Sequence, residues 1–107
     1  MARFLVLWRR NPAAPWPTDP SEGLKLSEKM FASIDDLIKK GEIEEHCFFP
    51  DGNTGYAIGK GEAAGIYKNL SMFQPYILGE VHEIIPNEKA KEISLALAKA
   101  RVEAAKK

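Results

Sequence analysis

Pro50-Asp51-Gly52-Asn53-Thr54 stands between two runs rich in apolar and aromatic residues, Ile43 to Phe49 and Gly55 to Lys60. Its Asp-Gly pair is a strong hairpin signal, so the two runs are expected to be neighbouring antiparallel strands. A hairpin in mid-chain restricts the fold sharply, because whatever precedes and follows it must build onto the same sheet.

What precedes it is a strand and a helix. Arg3 to Arg10 has a continuous apolar centre, as expected of a central strand buried on both faces. Asn11-Pro-Ala-Ala-Pro-Trp-Pro-Thr-Asp19 then holds three prolines, which neither donate to a ladder nor continue a helix, and reads as an extended loop. Asp19, Pro20 and Glu22 form a capping-box-like helix start. Leu24, Phe31, Ile34, Leu37 and Ile38 recur at helical spacing until Gly41 ends the helix.

After the hairpin, Glu62 to Leu70 reads as a second helix that packs through Ala63, Ile66, Tyr67 and Leu70. It ends at a short aromatic turn and feeds a fourth strand, Ile77 to Ile85. Pro86 stops that strand, Asn87 is placed to cap, and Ala90, Ile93, Leu97, Ala100 and Ala104 mark the inner stripe of a closing helix. Strand, helix, strand, strand, helix, strand is the element order of an α+β, ferredoxin-like domain. The expected strand order is 4-1-3-2, and the last helix is an addition to it. At 107 residues the chain fits a single domain.

Strand alternation puts Ile43, Cys47, Phe49, Tyr56 and Ile58 on one face of the hairpin, and His46, Phe48, Ala57 and Gly59 on the other. The first set is bulkier and more apolar, so it is expected under the helices. The second then faces outward, with small residues opposite His46 that leave room for a ligand or a flat surface for a partner sheet.

Fifteen basic and fifteen acidic side chains cancel, which supplies no net field for nucleic acid or an anionic membrane. No apolar run approaches the roughly 20 residues that span a bilayer. Cys47 is the only cysteine and admits no intrachain disulfide. A soluble, cytoplasmic protein is expected, without nucleic-acid or membrane partners.

The stretch Leu70-Ser-Met-Phe-Gln-Pro-Tyr-Ile-Leu-Gly-Glu-Val81 resembles the Leu-Pro-Leu-Phe-Pro-Tyr-x-x-x-Glu-Val stretch of muconolactone isomerases. Phe73, Pro75, Tyr76, Glu80 and Val81 match, with Gln74 inserted before the proline. The resemblance extends to element order from the first strand to the fourth. It implies a dimeric α+β barrel, in which the open sheet face of one subunit packs on that of another. It also implies isomerisation of a lactone by moving a proton, without metal or cofactor. The superfamily includes monooxygenases and small-molecule binding proteins as well. The Pro-rich first loop, the short hairpin and the closing helix depart from the isomerase pattern.

The residues offer a few constellations of their own. His46 and His82 are the only histidines, lie on separate strands and lack metal-ligand spacing, so no metal is expected. Glu80 and His82, two apart on one strand, point the same way and suit proton transfer. The alternative is ordinary edge-strand polarity. Trp8, Arg9, Arg10 and Trp16 bracket the Pro-rich loop and suit a ring-bearing carboxylate. Alternatively, Trp8 belongs to the core, Trp16 anchors the loop and the arginines are solvated.

Gly59-Lys-Gly-Glu-Ala-Ala-Gly65 lacks both the phosphate-loop and the dinucleotide spacing, and no cofactor is expected. The resulting expectation is a homodimer that binds an aromatic or lactone-type organic acid. Glu80 and His82 would exchange a proton, and Trp8, Arg9, His46 and Tyr76 would line the site. A non-catalytic ligand-binding or assembly module is the alternative.

Overall fold

The seven elements follow from where prolines, glycines and caps interrupt the apolar patterns. A computed structural model describes residues 2–106. The elements are β1 (Ala2–Arg10), α1 (Pro20–Lys39), β2 (Ile43–Phe48), β3 (Thr54–Gly61), α2 (Ala63–Ser71), β4 (Ile77–Ile84) and α3 (Asn87–Ala105). The four strands form one sheet in the order β2-β3-β1-β4, and every neighbouring pair is antiparallel. This is the β-α-β-β-α-β order, and the strand order, of a ferredoxin-like domain.

Local chemistry accounts for the boundaries. The Asp19 carboxylate accepts from the Glu22 backbone N–H at 3.1 Å, and Pro20 opens α1. In the hairpin turn Asp51 accepts from the backbone N–H of Asn53 at 2.7 Å and of Thr54 at 2.9 Å, and from the Thr54 hydroxyl at 2.7 Å. These bonds hold its carboxyl below the usual carboxylate range. Pro86, rather than Asn87, occupies the cap position of α3.

The helices cover the face opposite to the one that bulk suggests. Cross-strand partners share a face, and the ladders align Val6 with Ala57 and Val81, Trp8 with Gly55 and Gly79, and His46 with Ala57. Phe4, Val6, Ala57 and Ile66 form the buried cluster, so His46, Phe48, Ala57 and Gly59 lie beneath the helices. Cys47, Tyr56 and Ile58 lie on the open face. Two physical causes reverse the expectation. A register shift between Ile43 and Glu45 moves Ile43 onto the helix side, breaking the simple alternation. Small residues there accept large ones from elsewhere: a Cβ on Gly79 would meet the Leu70 side chain at 2.8 Å, and one on Gly59 would meet Ile66 at 2.8 Å. Glycine under the helix lets α2 lie close to the sheet.

α1 packs over β2, and α2 over β3 and β4, leaving a trough between the two helices. α3 packs on none of the other elements to a comparable extent, and every residue from Lys91 to Lys106 is exposed. No helix among the described residues is long and apolar enough to cross a membrane.

Candidate ligand cavity

The trough between α1 and α2 holds a cavity of about 160 Å³, roughly the space of one six-membered ring with a short substituent. Its floor comes from the central strands through Val6, Trp8 and Ala57, and its sides come from Phe31 and Ile34 of α1 and Leu70 of α2.

Trp8 is 6% exposed, although it stands near the end of β1. The bareness of its neighbours explains this, since Gly55 and Gly79 flank it across both ladders. A Cβ on Gly55 would collide with the Trp8 ring and with the Cys47 carbonyl. The indole lies parallel to the His46 imidazole, with ring centroids 5.3 Å apart and planes 6° apart. Phe48 meets Trp8 edge-on at 4.7 Å and His46 edge-on at 5.5 Å. Phe31 stacks on Phe48 at 5.8 Å, carrying the aromatic wall from the sheet onto α1. Offset and edge-to-face contacts of this kind favour flat aromatic company.

Polar side chains are a minority of the lining, among them Arg10, Glu42, His46 and Asn69. His46 is half-buried, and desolvation holds its imidazole below the ordinary value of 6.5, so near neutral pH it is uncharged. A neutral imidazole carries one N–H donor and one lone-pair acceptor. The Trp8 indole N–H is buried with no hydrogen-bond partner among the described residues. Arg10 lies over the Trp16 ring with its guanidinium carbon 4.1 Å from the centroid, and both side chains line the cavity. In the same lining Asn69 donates to Glu42 at 3.2 Å. Among the described residues no three His, Cys, Asp or Glu side chains converge as a metal-ligand set.

The Pro-rich loop is pinned beside this opening. The Trp16 indole N–H donates to the Asn11 carbonyl at 2.7 Å, and the Asn11 amide donates to the Pro75 carbonyl at 2.9 Å. Tyr76 completes the anchor with its ring 4.9 Å from that of Trp16. The Pro-rich loop and the aromatic turn before β4 therefore meet at one edge of the site.

No protein-family model matches the chain, and no curated protein matches it.

The structure brings together only some of the residues named from sequence. Trp8 and His46 share the cavity wall, and Tyr76 braces its edge. Arg9 pairs with Thr54 and Leu78 on the open face. Glu80 and His82 also lie there, opposite Leu7 and Leu5. The His82 Nε2 and Glu80 Oε2 atoms are 2.8 Å apart, and both side chains are more than half exposed. They make a pair, but the sheet separates them from Trp8 and His46. Sequence reasoning missed Phe31 and Phe48 as site residues, although the helical spacing of the first and the shared face of the second with His46 were both visible.

Proposed function

We propose that the protein binds a small, ring-bearing organic acid in the cavity between α1 and α2, and that it moves a proton on that ligand without a cofactor. The observation that carries this reading is the parallel Trp8–His46 stack on the wall of a largely apolar cavity sized for one ring. The ring of the ligand lies against the aromatic wall, while Arg10 at the Trp16 side receives the carboxylate. His46, uncharged and desolvated, takes the proton-transfer role that sequence spacing gave to Glu80 and His82. A lactone acid or an aromatic carboxylate fits this description, in keeping with the muconolactone isomerase resemblance.

The open sheet face has a separate role in this reading. Leu5, Leu7, Ile58 and Leu78 give it an apolar centre, and Arg3, Glu44 and Lys60 give it a charged margin. It pairs with the same face of a second copy in a dimeric barrel, and the Glu80–His82 pair belongs to that surface. The free Cys47 on this face suits a reducing, cytoplasmic setting.

Calorimetric titration with monocyclic aromatic carboxylates and unsaturated lactone acids tests the binding, and deuterium uptake from D₂O into the bound acid, followed by NMR, tests the proton transfer. Binding that Trp8→Ala removes, with exchange that His46→Gln removes, is the expected result. A panel in which no ring-bearing acid binds refutes the reading. Binding without exchange reduces it to a ligand carrier.

A further inference from the structure

The chain exposes far more surface than a folded monomer of its size needs. Its accessible surface is 7854 Å², whereas a compact chain of 11.9 kDa exposes about 6,000 Å². The surplus of about 1,900 Å² exceeds the roughly 800 Å² that each partner of a standard interface buries. The radius of gyration, 19.3 Å, stands against about 13 Å for a compact domain of this length. The long dimension is 73 Å, against 27 and 24 Å for the others, and α3 is the element that packs on none of the rest to a comparable extent.

Two of the uncovered surfaces fit each other. On α1, Leu24, Phe31 and Ile38 recur every seven residues and are 62%, 50% and 41% exposed, a straight stripe about 21 Å long. On α3, Ile93 and Leu97 are 47% and 53% exposed. They share one side of the helix with Ala100 and Ala104. The second stripe combines two large side chains, Ile93 and Leu97, with the small Ala100 and Ala104, which leave room for the large side chains of the first to interlock. Charge agrees with shape. Glu28 and Asp35 stand one turn beyond Leu24 and Phe31, and Lys89 and Arg101 flank the α3 stripe. None of these four forms an ion pair among the described residues.

Within one chain the two stripes are kept apart. α1 lies over β2 and α3 leaves from β4, and these strands are opposite edges of the sheet, three strand spacings or about 14 Å apart. We infer that α3 of one copy lies along the Leu24–Phe31–Ile38 stripe of a second copy, in an exchange of arms distinct from the pairing of open sheet faces. By twofold symmetry each copy gives and receives one arm. Because Phe31 also lines the cavity, the received arm lies at the border of the partner's ligand site.

Sedimentation velocity on the full chain over a wide concentration range tests this, together with Leu97→Glu on α3, Leu24→Glu on α1 and Leu7→Glu on the open sheet face. Circular dichroism checks that each variant is folded. The expected result is a self-associating wild type whose dissociation constant rises at least tenfold in both Leu97→Glu and Leu24→Glu. A wild type that stays monomeric overturns the proposal. So does association that only Leu7→Glu weakens, or that Leu97→Glu weakens and Leu24→Glu does not. As a second measurement, a chain with Leu97→Cys is mixed with one carrying Leu24→Cys or Ile38→Cys, all in a Cys47→Ser background, and treated with a short bis-maleimide. A cross-link between the two different chains in either mixture supports the exchange, and its absence from both mixtures overturns it.

Discussion

Gly55→Ala is the sharpest test of which face of the sheet the helices cover. On the helix side, the added Cβ would collide with the Trp8 ring and with the Cys47 carbonyl of the neighbouring strand. The ring cannot swing away freely, because Phe48 and His46 hold it at 4.7 and 5.3 Å. The carbonyl belongs to the β2–β3 ladder, so β2 must shift as well. Overpacking of a well-filled site costs about 1–3 kcal/mol, and the collision with fixed backbone places this case at the upper end, about 3 kcal/mol. For a domain near this size that lowers the melting temperature by roughly 10–20 °C. Had Gly55 faced the open side, the same change would stabilise the strand by about 0.5–1 kcal/mol, since glycine is the poorer strand residue. The opposite signs make the experiment decisive. Urea unfolding followed by tryptophan fluorescence reads the difference, with Gly23→Ala as control. Gly23 lies inside α1 with nothing within 4 Å of an added Cβ, so that variant should gain up to about 1 kcal/mol. A neutral or stabilising Gly55→Ala would refute the face assignment and, with it, the Trp8–His46 wall.

Three further outcomes follow from the same contacts. His46 is held below its ordinary value by desolvation, so the unfolded chain binds the proton first. Stability should therefore hold above about pH 6.5 and decline as pH falls below it, down to the folded-state value. His46→Gln should flatten that slope in urea titrations at pH 5 to 7, and an unchanged slope would show that other groups cause it. Asp19→Ala removes the carboxylate that caps α1 and should cost about 1 kcal/mol by thermal unfolding. Glu80→Gln breaks only an exposed pair and should change stability by less than about 1 kcal/mol. It should also leave ligand affinity in the helix-side cavity unaltered. A loss of affinity equal to that of Trp8→Ala would move the site to the open face.

The contrast between Glu80–His82 and Trp8–His46 shows what the chain discloses in its order of residues and what it withholds. Element order was legible because it depends on local chemistry: Asp19 caps, Gly41 breaks, Asp51-Gly52 turns and Pro86 stops. The Glu80–His82 contact was legible for the same reason, since alternation along one strand brings side chains two apart onto one face. The cavity depends on which side of the sheet the helices take, and residue bulk in the hairpin pointed the wrong way. Bulk on one strand predicts burial only where the neighbouring strands and helices do not already fill the space. Here Trp8 from β1, with Ile66 and Leu70 from α2, fills the helix side. The hairpin answers with Gly55, Ala57 and Gly59, and the bulge after Ile43 returns one large residue to that side. The bulkier hairpin residues, Cys47, Tyr56 and Ile58, are then left on the open face. An uncovered apolar sheet face and an uncovered apolar arm are two expressions of one condition, in which a chain this short folds around a core that it does not fully enclose.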